Sequence, residues 1–127
     1  MNTLKSTLFD KIEAHRPRIK TLLDQYGDKV INEVTIQQVI GGMRGIKSLI
    51  TDISYLDPYE GIRYRGYTLP EVIKKLPKPQ GANMPSVEGL FYLLLTGDIP
   101  TENQVADVIY DSVNRRQLPF QIIVILW

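Results

Sequence analysis

No cysteine occurs among the 127 residues, which excludes disulfides, thiolate-bound zinc, iron–sulfur ligation and a cysteine nucleophile. Histidine is almost as scarce. The single one, His15, stands in a segment rich in Lys and Arg, where an exposed surface position is the ordinary reading and a catalytic role is not expected. With no second histidine and no ligand spacing among the carboxylates, no metal site is expected either. Excess charge of one sign is also missing: 15 Lys and Arg against 14 Asp and Glu leave a net charge of +1, so nothing favours nucleic acid as a partner. The apolar run at residues 122–127 falls far short of the roughly 20 residues needed to span a bilayer, and no membrane partner is expected. Asp10, Glu13, Asp24 and Asp28 in the first thirty residues suit neither an apolar signal-peptide core nor an acid-poor presequence. A reducing, aqueous compartment follows, with the cytoplasm as the expectation.

What is present describes a globular chain about one domain long, 43% apolar and 23% charged. Leu4, Leu8 and Ile12 recur every four residues, and Ile19, Leu22, Leu23 and Tyr26 continue a helical stripe beyond His15-Arg16-Pro17. Either two helices or one kinked helix fits. Because proline has no amide hydrogen, Pro17 is read as opening a second helix, with Gly27 as its C-cap. Thr35 with Gln38, Thr68 with Glu71 and Thr101 with Gln104 have the spacing of capping boxes, each opening a helix. Gly41-Gly42 ends the first of these helices and Leu76-Pro77 the second.

Between Ile46 and Tyr67, β-branched and aromatic residues interrupted by Asp57-Pro58-Tyr59-Glu60-Gly61 predict a small antiparallel hairpin with a wide turn. Alternation would put Arg63 and Arg65 on one face of its second arm. The nearly continuous apolar run from Val87 to Leu95 predicts a helix buried on most sides and closed by Thr96-Gly97. Val105, Val108, Ile109, Ser112 and Val113 mark the clearest amphipathic helix. The expected fold is mainly α with a small β-hairpin around residues 46–67, and residues 1–127 read as one unit with no internal boundary.

Gly41-Gly42-Met43-Arg44-Gly45-Ile46-Lys47-Ser48 invites comparison with a phosphate-cradling loop. Ile46 stands where that loop needs glycine, so nucleotide binding of that kind is set aside. Two readings of the segment remain open: a flexible turn whose glycines supply positive backbone angles, or a turn that presents the Arg44 guanidinium to a phosphate or carboxylate. Arg63 and Arg65 raise the same question, though pairing with Asp57 or Glu60 is the commoner fate of such arginines.

Gly41-Gly42-Met43-Arg44-Gly45, followed by Leu56-Asp57-Pro58-Tyr59-Glu60-Gly61-Ile62-Arg63-Tyr64-Arg65-Gly66-Tyr67, resembles the amino-terminal signature of citrate synthases of the mitochondrial and related bacterial type. The resemblance continues through Leu76-Pro77-Lys78, Glu88-Gly89-Leu90-Phe91-Tyr92-Leu93-Leu94, Thr96-Gly97-Asp98-Ile99-Pro100-Thr101-Glu102 and Leu118-Pro119. It thus covers nearly the whole chain. It departs at the end, where Phe120-Gln121 replaces a histidine-containing helix start and Trp127 stands where the family has a polar residue.

The resemblance implies the amino-terminal part of a large helical domain, and condensation of acetyl-CoA with oxaloacetate and water to citrate and CoA. No tightly bound cofactor is implied. In the family an aspartate and two histidines act on the substrates; they lie beyond the stretch this chain matches, and His15 corresponds to neither histidine. No catalytic residue is therefore expected here. The chain is expected to be truncated, since it ends on an apolar run without cap or polar tail, and to be inactive alone. The one ligand residue carried over is Arg44, which the family pattern associates with the CoA phosphates. The resemblance also implies a homodimer for the intact enzyme, and adds the mitochondrial matrix as the alternative compartment. A rival reading keeps the same residues but makes the chain a non-enzymatic module that binds an intact citrate synthase or a CoA-like anion.

Overall fold

The computed structural model describes residues 3–47 and 49–116. Ser48, Leu118-Pro119 and the apolar run at 122–127 lie outside the described residues. The elements in order are α1 (Thr3–Tyr26), α2 (Ile36–Ile40), β1 (Ser54–Asp57), β2 (Gly61–Tyr64), β3 (Tyr67–Thr68), α3 (Leu69–Lys75), α4 (Val87–Thr96) and α5 (Glu102–Arg115). The fold is mainly helical with a small antiparallel sheet, as the sequence leads one to expect.

Helix α1 corrects the reading of Pro17. It runs unbroken from Thr3 to Tyr26 with Pro17 inside it, although an interior proline removes a hydrogen bond and costs about 3 kcal/mol. The flanking residues are good helix formers. The first half is also tied down from elsewhere in the chain: Thr3 Oγ1 donates to Asp107, and Lys11 pairs with Asp98 at 2.8 Å. Gly27 follows the helix, its amide bonded to Leu23 O at 2.8 Å.

Local capping is as the spacing predicts. The Thr35 amide bonds Gln38 Oε1 at 3.0 Å while the Gln38 amide returns to Thr35 Oγ1 at 3.2 Å. Thr101 and Gln104 repeat the exchange at 2.8 and 3.3 Å. At α3, Glu71 Oε2 accepts from both the amide and the hydroxyl of Thr68, at 2.8 and 2.9 Å. Ser86, unremarked in the sequence, caps α4 by accepting from the Gly89 amide at 3.3 Å.

The sheet is smaller at its start and longer at its end than the hairpin pattern implies. Strand β1 begins only at Ser54, and none of the described residues from 46 to 53 belongs to a strand. Beyond β2 the chain turns through Arg65 and Gly66, at φ 48 and 85, into β3, giving the antiparallel order β1-β2-β3. Positive φ at both turn residues matches the right-handed twist of the flanking strands. Arg65 therefore leaves the strand instead of sharing a face with Arg63, which pairs with Thr68 across β2 and β3.

Val72, Leu76 and Leu93 form the centre of the core, with Tyr64, Tyr67, Leu90 and Ile99 packed around them. Val105 and Val108 bring in the buried edge of α5, and the first half of α1 packs on α4 and α5. Helix α4 is less enclosed than its composition predicts. Tyr92, Leu93 and Thr96 are buried, but Val87, Phe91 and Leu95 are exposed, because only one side of the helix has neighbours among the described elements. One polar bridge crosses this core: the buried Tyr92 hydroxyl accepts from Gln104 Nε2 at 2.8 Å and donates to Thr7 Oγ1 at 3.1 Å, joining α1, α4 and α5.

Candidate functional site: the glycine turn and three arginines

The turn that follows α2 is built by its backbone. Gly41 caps the helix by donating to Gln37 O at 2.9 Å, and the Met43 amide reaches back to Gln38 O at 2.7 Å. Gly42, Met43 and Gly45 all have positive φ, at 79, 62 and 74. Nothing lies within 4 Å of where a Cβ on Gly42 or Gly45 would be, so glycine is needed there for its backbone freedom and not for space. Met43 has no such freedom. An unbranched, bulky residue in the left-handed region is uncommon and carries backbone strain of the sort that clusters at functional sites.

Arg44 follows the strained residue. Its side chain is exposed, and among the described residues no hydrogen bond or ion pair holds it. The other two arginines singled out from the sequence are committed elsewhere. Arg63 grips Glu60 through Nε at 3.0 Å and Nη2 at 2.5 Å, and donates to Gly66 O at 3.1 Å; the pairing with Glu60 holds its guanidinium above its ordinary pKa. Arg65, only 15% exposed, ion-pairs with Asp52 at 2.7 Å. It also donates through Nε and Nη2 to Leu94 O at 2.9 and 2.7 Å, and through Nη2 to Leu95 O at 3.2 Å. These carbonyls belong to the last turn of α4, where helix acceptors lack internal partners and a cation is favoured.

Carboxyl groups near the sheet are tuned away from base chemistry. Asp57 accepts from the Glu60 and Tyr59 amides, at 2.9 and 2.8 Å, and these bonds, with the Arg63 charge adding to them, lower its pKa. The Thr68 amide and then its hydroxyl lower that of Glu71. A carboxylate stabilised as the anion is a weak base. His15 is exposed on α1. Among the described residues no group of three or more His, Asp and Glu is arranged to hold a metal ion, and no helix is long and apolar enough to cross a membrane.

Sequence reasoning missed the α4-capping role of Arg65. Its partners Leu94 and Leu95 lie 29 and 30 residues away, beyond any short-range spacing rule. The only local signal was Gly66, whose dipeptide with Arg65 marks a turn.

Residues 42–126 match the family model described as "Citrate synthase, C-terminal domain". The chain is also similar to the protein named "Citrate synthase, mitochondrial" of Kajikia audax, with 47% identity over 123 residues that make up 97% of this chain and 26% of the relative. It therefore spans about a quarter of the length of that relative. Both matches take in the positive-φ turn, the sheet with its committed arginines and the capped helices α3 to α5. On this evidence the chain belongs to the citrate synthase family.

Proposed function

We propose that this chain is the amino-terminal part of the large domain of a citrate synthase, that Arg44 binds the phosphates of CoA, and that the chain alone does not turn over. The observation that carries the Arg44 reading is the contrast among the three arginines. Arg63 and Arg65 are each held by a carboxylate, whereas Arg44 stands exposed on a strained turn. A planar guanidinium left exposed in this way offers paired donors to a phosphate.

The condensation of acetyl-CoA with oxaloacetate needs a base for the methyl proton, a donor to the resulting enol oxygen and an acid for the ketone oxygen under attack. Asp57 and Glu71 have their carboxylates engaged by amides, and His15 is isolated on α1. What the chain brings to the reaction is substrate binding. For the compartment, the relative's designation as mitochondrial favours the matrix over the cytoplasm.

The test is equilibrium binding of CoA and of pantetheine, which lacks the phosphates, to the 127-residue chain and to Arg44→Ala. Charged hydrogen bonds contribute about 1.5–3 kcal/mol, so Arg44→Ala is expected to raise the Kd for CoA about tenfold or more and leave that for pantetheine unchanged. Equal affinity of wild type and variant for CoA overturns the site. Turnover is followed as CoA release from acetyl-CoA with and without oxaloacetate. No release is expected; oxaloacetate-dependent release overturns the assignment of inactivity.

A further inference from the structure

A groove of about 610 Å³ runs between α1, α4 and α5 and collects apolar side chains from all three. Of its lining, Leu4, Leu8 and Val108 are buried or half-buried. Phe9, Ile12 and Phe91 line it too, yet they stay 62%, 50% and 48% exposed. Scattered apolar side chains on a surface are normal; three large ones around one hollow mark a contact site. Helix α5 ends at this groove. Arg115, its last residue, belongs to the lining, and after Arg116 the chain runs on for eleven residues, 117–127, none of them charged. Six consecutive apolar residues close that stretch, Ile122-Ile123-Val124-Ile125-Leu126-Trp127.

We propose that residues 122–127 fold back into this groove and cover Phe9, Ile12 and Phe91, so that the chain shields its own apolar run. Reach, chemistry and tethering select this occupant. Pro119 disfavours helical angles at Leu118, so the backbone leaves the axis of α5 within a few residues of Arg116. Residues 117–121 span up to about 17 Å when extended, enough to turn back. The run then covers about 9 Å as a helix or 20 Å as a strand, against about 10 Å of α5 between Val108 and Arg115. A run without charge suits walls of Leu, Ile and Phe, and left bare it is a segment prone to aggregate. Its tether is short, which places it beside the groove at an effective concentration in the millimolar range. The sequence leaves the citrate synthase pattern at Phe120-Gln121 and at Trp127, so this contact belongs to this chain and is not inherited from the family fold.

Trp127 is the only tryptophan, and its fluorescence reports where the run lies. In the full 127-residue chain its emission is expected to be blue-shifted relative to the chain in urea, and its quenching by acrylamide about fivefold slower, equally in dilute and concentrated solution. Phe9→Asp with Ile12→Asp should abolish both effects, while Leu23→Asp, at an exposed position outside the groove, leaves them unchanged. Because the chain has no cysteine, Phe9→Cys supplies a unique probe of the groove wall. Adding Ile123→Asp and Ile125→Asp should speed its alkylation about tenfold and leave that of Leu23→Cys unchanged. The substitutions in the run touch none of the described helices, so they decide the matter even where circular dichroism at 222 nm shows that the groove pair unfolds α1.

Native emission that matches the chain in urea, emission unmoved by the groove pair in a chain that keeps its helix signal, or equal alkylation of Phe9→Cys with and without the two aspartates in the run each overturns the proposal. So does shielding of Trp127 that appears only as concentration rises, together with a dimer by light scattering, since the run then docks on a second copy.

Discussion

Arg65 joins three parts of the chain that are distant in sequence, and its removal separates two physical effects. Truncation to Ala deletes the bonds to Leu94 O, Leu95 O and Asp52 from a side chain that is largely buried. Hydrogen bonds of charged groups contribute about 1.5–3 kcal/mol, and those of one guanidinium do not add independently, so Arg65→Ala is expected to destabilise by about 2–3 kcal/mol. The backbone at φ 48 keeps its strain in Ala and loses it in Gly. A left-handed conformation costs a residue with a Cβ about 1–2 kcal/mol, so Arg65→Gly should be about 1 kcal/mol more stable than Arg65→Ala while lacking the same bonds. Arg65→Lys retains charge but has no fork to span two carbonyls and a carboxylate, and should fall between wild type and Ala. Urea unfolding followed by circular dichroism at 222 nm measures all three. An Arg65→Ala variant within about 0.5 kcal/mol of wild type refutes the capping role, and a Gly variant less stable than Ala refutes the strain argument.

Further outcomes follow from the same geometry. Tyr92→Phe removes the hydroxyl between Gln104 and Thr7 and should lower stability by about 1–3 kcal/mol; adding Thr7→Val should lower it by much less than the two single changes together, because they share one bridge, as a double-mutant cycle in urea would reveal. Met43→Gly should be neutral or stabilising by up to about 1 kcal/mol, whereas Met43→Val should destabilise, since a branched Cβ fits poorly at φ 62; thermal unfolding ranks the three. Asp57 and Glu71 have lowered pKa values, so their contribution is present above the ordinary carboxylate range, about pH 4, and is lost as pH falls through the folded-state values. Asp57→Asn should therefore flatten the acid limb of stability against pH without altering the neutral plateau's shape.

Features written within four residues of one another were legible. A capping box needs only a hydroxyl and, three positions on, a side-chain carboxylate or carboxamide, so Thr35, Thr68 and Thr101 announced α2, α3 and α5 correctly. The wide turn was legible for the same reason, since Asp57 closes it with the amides of Tyr59 and Glu60. What failed was whatever depended on distant partners. Pro17 reads as a break until α1 is seen anchored by Asp98 and Asp107. The exposed edge of α4 was hidden because Val87, Phe91 and Leu95 are apolar whether or not anything covers them. Arg65 looked like the second residue of an alternating pair, but a two-residue turn with positive φ removed it from the strand. Alternation says nothing of where a strand stops. Of the candidate site, the turn glycines and the pairing of Arg63 with Glu60 were readable, while the commitment of Arg65 to Asp52 and the end of α4 was not.

The bonds that fix α1 to the rest of the fold join residues 85, 87 and 104 positions apart. During synthesis at about 5–20 residues per second, an interval of 85 residues leaves the helix waiting roughly 4–17 s before even its first partner, Tyr92 on α4, exists. An isolated helix of this length holding an interior proline is marginal in water. For those seconds Leu4 and Leu8, half-buried in the folded chain, are as bare as Ile19 and Leu23 remain afterwards. The earliest helix to be made is thus the last to be packed, and in the folded chain its amides should exchange with solvent ahead of those of α4.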